Sequence, residues 1–175
     1  MTFLRGAKHK KLLDLGRYVL FGVALYLLAT ELMRHASGPK EGTTAAKIDL
    51  PLATRPERFE LAQMKGKAVL VEVFASWCSA CRRSAPSLAD AWRAHHDQNV
   101  TFLGVSVDEN AAAARTIQAD WGIPFDVAID DGSVSRDYGI RMLPTLIYID
   151  AQGVVRHTRT GIPSRAELES WLAER

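Results

Sequence analysis

The sequence predicts an α/β domain: a mixed β-sheet with helices on both faces, preceded by an N-terminal transmembrane helix. Three observations carry this reading. Strand-like and helix-like stretches alternate from Ile48 onward. Ala68–Phe74 is a near-continuous apolar, β-branched run, the pattern of a strand buried on both faces. The chain closes with two strands joined by a hairpin signal and then a helix, so the sheet is mixed rather than all parallel.

The elements follow in order. Residues 3–34 read as a membrane segment. A basic cluster from Arg5 to Lys11 precedes an uncharged core, Tyr18 to Thr30. That core is short for a span of about 20 residues. Leu15, Gly16, Leu32 and Met33 lengthen it, with Arg17 and Glu31 at the two interfaces. The one-sided positive flank places the N-terminus in the cytoplasm and the body outside. Glu31–Ser37 offers no Ala-x-Ala cleavage site, so the segment is expected to stay as an anchor over residues 1–35. Ala36–Ala46 is small and polar, and residues 36–54 are expected to form a linker to a domain spanning 55–175.

Within the domain, Phe59–Ala62 reads as a short strand before the Lys65-Gly66-Lys67 turn. Ser79–His96 is a helix that Pro86 is expected to kink. Val100–Val107 is a strand. Asn110–Trp121 is a helix, with Asp108 or Asn110 as its cap. Phe125–Ile129 is a short strand, and Ser133–Tyr138 a short helix ended by Gly139. Thr145–Ile149 and Val154–Thr160 are strands joined by Asp150-Ala151-Gln152-Gly153. The last helix, Ser164–Glu174, opens on a capping box, Ser164 with Glu167.

Composition bounds the function. Of 175 residues, 47% are apolar, enough for a core, and the formal net charge is +2. Residues 1–35 hold six Lys/Arg against Asp14 and Glu31, so the remainder carries −2. A body that is not basic gives no sign of nucleic-acid binding.

The chemistry centres on Ala75-Ser76-Trp77-Cys78-Ser79-Ala80-Cys81, where a strand feeds a helix. The Cys-x-x-Cys spacing sets the two sulfurs one helical turn apart, within bonding reach. At the helix start, free N–H groups and the helix dipole favour a Cys78 thiolate, the reactive form. Cys78 would attack a partner's sulfur and Cys81, one turn in, would resolve the mixed disulfide. Two plainer readings compete. A structural bridge closing so short a loop restrains the unfolded chain little. A zinc site needs four ligands, and these are the only two cysteines, with no suitably spaced pair among the five histidines. No cofactor and no resident metal are expected.

Two further residues bear on the site. Pro144, in Met142-Leu143-Pro144-Thr145, stands just before an apolar strand and marks either a special turn or a plain loop. Glu72 is a charge within the apolar strand. If buried, its pKa rises and it can exchange protons near pH 7; otherwise it meets solvent or pairs with Lys65 or Lys67.

The run Val69 to Arg82, then Pro86, then Leu143-Pro144-Thr145, resembles the thioredoxin superfamily, in particular its membrane-anchored TlpA/ResA-like branch. The anchor, the Gly104–Asp108 strand end and the inserted 110–129 segment are similar to that branch. The resemblance implies a thioredoxin-like fold and a thiol–disulfide oxidoreductase on the outer face of a bacterial inner membrane. It implies a cis Pro144 that, with Leu143, holds a substrate strand. It also implies that Glu72 is a buried proton acceptor and that Trp77 flanks the disulfide. Expected partners are proteins with cysteines or disulfides, apocytochrome c among them, and a membrane electron donor. Ser79 and Ala80 stand where thioredoxin has Gly-Pro, a dipeptide that tunes redox poise. A thiol oxidase of the same fold is the nearest rival. A copper carrier using Cys78, Cys81 and His157 is the rival from another class.

Overall fold

The computed structural model describes residues 16–28, 41–108 and 110–174. The chain divides into two units between Ser37 and Gly38. In the first, residues 16–28 form a helix, α1. Among the described residues no helix is long and apolar enough to cross a membrane. The flanks of the expected anchor, 1–15 and 29–35, lie outside the described residues.

The second unit is built on five strands: β3 (Ala68–Phe74), β4 (Val100–Ser106), β5 (Asp126–Ile129), β6 (Thr145–Ile149) and β7 (Val155–Thr160). Their spatial order is β5-β4-β3-β6-β7. β3, β4 and β5 are parallel, whereas β6 and β7 run against them as a hairpin. The sheet is therefore mixed, as the closing hairpin predicted. β3 lies at its centre, and every residue of it is buried. This explains its unbroken apolar run: Val69, Val71 and Val73 face one side of the sheet, Leu70 and Phe74 the other.

On the Leu70/Phe74 side pack α2 (Ser79–His95), α3 (Ala111–Asp120) and α5 (Arg165–Ala173), through Ala85 and Leu88, Ala114 and Ile117, and Leu168, Trp171 and Leu172. On the opposite side, α4 (Ser133–Asp137) contributes Val134. It shares that face with a two-stranded ribbon, β1 (Asp49–Pro51) and β2 (Arg58–Glu60).

That ribbon corrects the expected linker over 36–54 and the domain start at 55. From Gly42 the chain is already tied to the sheet: Gly42 N donates to Val155 O at 2.7 Å and Ala45 N to Gly153 O at 2.8 Å. Ile48, Leu50 and Leu52 alternate with polar residues or proline, and all three are buried against the Val69/Val71 face. Ala53 N then reaches Val127 O on the far edge strand at 2.7 Å. The period-2 spacing carried this strand signal; the small, polar stretch before it masked it. The short strand expected over Phe59–Ala62 is likewise corrected. It ends at Glu60 and passes into a 3-10 turn, Leu61–Met64. α2 runs through Pro86 as one element, because a single proline removes one donor and Pro86 lies on the exposed side.

Candidate active site

The site forms where β3 runs out. After Phe74 the chain passes through Ala75-Ser76-Trp77 and enters α2 at Cys78, which is the N-cap. Asp108, at the end of β4, holds this passage in place. Its carboxylate accepts from Ser76 N at 2.9 Å, from Ser76 Oγ at 2.7 Å and from Ser106 Oγ at 2.7 Å. Val107 N adds a bond to Phe74 O at 2.9 Å. The tips of two parallel strands are thus locked together under the loop. Asp108 was expected only as a possible helix cap. Asn110 fills that place, with its side chain accepting from Ala113 N at 2.8 Å.

Cys78 and Cys81 are joined as a disulfide, with their Cα atoms 5.3 Å apart. Both are buried, Cys81 completely. Cys81 N donates to Cys78 Sγ at 3.1 Å, so a free N–H of the helix start points at the sulfur expected to attack. Next to these closed sulfurs, Trp77 is 74% exposed.

The β3–β6 pairing ends with Val73 opposite Thr145. Leu143 and Pro144 therefore lie just beyond the end of the sheet from which residues 75–77 lead to α2. The Leu143–Pro144 bond is cis. Pro144 is buried and its carbonyl accepts from Gly161 N at 2.8 Å, while Leu143 is half-buried. Met142, one residue earlier, is 65% exposed, and Ile162, next to Gly161, is also exposed. Sequence reading did not single out Met142 or Ile162. Their signal was an apolar side chain placed beside a turn.

Glu72 is 3% exposed and points into the helix-covered face, which decides between the two readings of it. Its strand neighbours are Gly104 on β4 and Leu146 on β6. It makes no ion pair with Lys65 or Lys67. Its Oε1 instead lies 2.5 Å from Ser84 Oγ on α2, and Ser84 Oγ is also 2.8 Å from Cys81 O. Burial pushes the Glu72 carboxyl up to about 7, against the opposing effect of the Ser84 hydrogen bond. Ser84 was missed in the sequence, where a serine one turn beyond a cysteine reads as an ordinary helix residue.

The copper reading used the cysteine pair, with His157 as its candidate third ligand. The structure does not assemble that set. His157 Nε2 is bonded to Glu174 Oε2 at 2.7 Å, and its ring stacks on Trp171 at 5.0 Å. Among the described residues no group of three His, Cys, Asp or Glu is placed to hold a metal.

Comparison with known proteins agrees with this geometry. A thiol-disulfide oxidoreductase ResA from Bacillus thuringiensis is 29% identical over 117 residues, 66% of this chain and 68% of its own. A ResA from Bacillus subtilis is 29% identical over 133 residues, 75% of this chain and 74% of its own. Among solved structures, a thiol:disulfide interchange protein of the thioredoxin family from Chlorobium tepidum superposes with a TM-score of 0.69 at 26% identity, covering 79% of this chain and 98% of that one. The sequence pattern of the AhpC/TSA family matches residues 42–158, so the chain belongs to that family, on a thioredoxin-like frame whose Cys78–Cys81 pair is that of a thiol–disulfide oxidoreductase.

Proposed function

We propose that this protein is a membrane-tethered reductase of disulfides in bacterial envelope proteins, apocytochrome c among its substrates. The observation that carries the exchange chemistry is the Cys78–Cys81 bridge at the first turn of α2, with an N–H aimed at Cys78 Sγ. In the dithiol form that N–H and the helix dipole stabilise a Cys78 thiolate. The thiolate attacks one sulfur of a substrate disulfide and expels the other as a thiolate. Cys81 then loses its proton and attacks Cys78, releasing the second substrate sulfur. The substrate gains two electrons and the enzyme keeps the Cys78–Cys81 bridge. A membrane electron donor returns those two electrons.

Several features support a protein substrate. Trp77, next to Cys78 in the chain, and Met142, just before the Leu143–Pro144 bond, offer exposed apolar surface, and the backbone at Leu143 and Pro144 borders the same end of the sheet. Glu72 is the proton acceptor for Cys81 in this reading. The tether rests on the sequence: the positive flank, the uncharged core Tyr18–Thr30 and the absence of a cleavage site. In this reading the domain lies in the periplasm, where oxidised cysteines accumulate.

The experiment is trapping. A Cys81→Ala variant expressed in the native host should accumulate envelope proteins as mixed disulfides on Cys78. Recovery of none, with the variant folded and membrane-bound, overturns the catalytic reading. The direction is read from the reduction potential: a value near −120 mV, that of a strong periplasmic oxidant, would replace the reductase with an oxidase.

A further inference from the structure

Ser84 is fully buried and sits one turn beyond Cys81 on the inner face of α2. Its Oγ is within hydrogen-bond distance of two oxygens: Glu72 Oε1 on β3 at 2.5 Å and the Cys81 carbonyl at 2.8 Å. A hydroxyl has a single proton to donate. When Glu72 is ionised, both neighbours are acceptors and only one can be served. When Glu72 is neutral, the acid proton donates to Ser84 Oγ and Ser84 donates to the Cys81 carbonyl, so every group has a partner. The charge on the carboxyl therefore decides which way the hydroxyl points.

Among the described residues nothing else around Glu72 competes for this role. Gly104 and Leu146 flank it on β4 and β6. The packing from α3 and α5 on this face is apolar, through Ala114, Ile117, Leu168 and Leu172. The buried acid at the end of β4, Asp108, is engaged by Ser76 and Ser106. Among the described residues no cation pairs with Glu72.

We propose that Ser84 is a positioning residue for disulfide exchange: its one hydroxyl proton goes either to Glu72 or to the Cys81 carbonyl, tying the ionisation of the buried acid to the helix turn that carries the resolving sulfur. The proposal rests on the exchange role given above for Cys81 and Glu72. Ser84 supplies the one polar contact that favours the charged carboxyl in an otherwise apolar setting. Removing it leaves burial unopposed.

The test uses the full chain and the variants Ser84→Ala, Ser84→Thr, Glu72→Gln and the Glu72→Gln/Ser84→Ala pair. Infrared titration follows the protonated carboxyl of Glu72, identified by its loss in Glu72→Gln. Single-turnover reaction with insulin follows the pH dependence of the resolving step. A hydrogen bond to a charged group is worth about 1.5–3 kcal/mol, which converts to a shift of roughly one pH unit or more. Ser84→Ala should move the carboxyl titration and the acid limb of the resolving step upward by that amount, about tenfold in rate on the limb. Ser84→Thr, which keeps the hydroxyl, should restore both, and Ser84→Ala should shift no pH limb once Glu72 is Gln. If Ser84→Ala leaves the carboxyl titration at its wild-type position, the proposal is overturned, whatever happens to stability. The infrared arm does not depend on turnover. A wild-type protein that never reduces insulin counts against the exchange function, while the titration still decides the role of Ser84.

Discussion

Glu72 shows what one misplaced charge does to an otherwise apolar strand. Its carboxyl is raised from 4.5 to about 7 by burial. A folded-state value above the unfolded one means that the native state holds a proton the unfolded chain has released. The resulting stability is complete below pH 4.5, declines as pH rises through the folded value, and is gone above about 7. At 1.36 kcal/mol per unit, the penalty at high pH is about 3 kcal/mol. Glu72→Gln should therefore unfold at higher urea concentration than wild type at pH 8, with the gap closing toward pH 4.5. Equal midpoints across that range would show that the carboxyl is solvated in the native protein. A protein that keeps so costly a group at its centre is expected to use it, and the nearest chemistry is at Cys81.

At the scale of elements, the site is the meeting of strand ends. β3 delivers Trp77 and Cys78 to α2, β4 delivers Asp108, and β6 begins just after the cis Leu143–Pro144 bond. These strands must lie close, and Gly104 makes that possible in the middle of β4. A Cβ there would stand 2.9 Å from the ring of Phe74 and 3.2 Å from Val127. Phe74 is fully buried and tilted against Trp121 at 5.8 Å, so its ring has little room to yield. Gly104→Ala should cost about 1–3 kcal/mol, read as a lower midpoint in urea unfolding. A midpoint at the wild-type value would mean that the sheet can spread at this point. α5 ends the domain with the reciprocal Ser164–Glu167 cap predicted for it, and Arg159 on β7 binds the same Glu167 at 2.8 Å. One carboxylate thus both starts the helix and ties it to the sheet.

For the whole folded unit, the segment 41–60 matters more than its composition suggests. It runs from the β7 side, where Gly42 pairs with Val155, to the β5 side, where Ala53 reaches Val127. In between it lays Ile48, Leu50, Leu52 and Phe59 over Val69, Val71, Ile147 and Ile149. Burying each such side chain is worth about 1.5–3 kcal/mol. Four of them amount to a sum comparable with the whole stability of an ordinary domain. A chain beginning at residue 41 should melt cooperatively with an intact disulfide. One beginning at residue 61 should lose its sharp thermal transition and bind a hydrophobic dye. Circular dichroism and dye fluorescence on the two truncations decide this, and a cooperative melt of the shorter chain would refute the role given to the ribbon.

The sequence by itself determined the order of strands and helices, the closing hairpin, the capping box and the redox pair. Each of these is a local signal: a period of two or 3.6, a cap spacing, two cysteines three apart. What it hid depended on contacts between distant residues. The first strand of the ribbon at 49–60 was hidden because it is three residues long and follows a small, polar stretch, while the partners that bury Ile48 and Leu50 include Ile147 and Ile149, about a hundred residues away. The fate of Glu72 turned on which face of β3 its neighbours occupied, and a strand apolar on both faces carries no alternation from which to read it. Ser84 and Asp108 gained their places because the folded chain brings β3, β4 and α2 to one point. His157 was excluded from the cysteines because β7 delivers it to α5. Spacing along a chain identifies groups within one turn or one strand of each other; only the closed sheet decides which groups from separate elements share a proton.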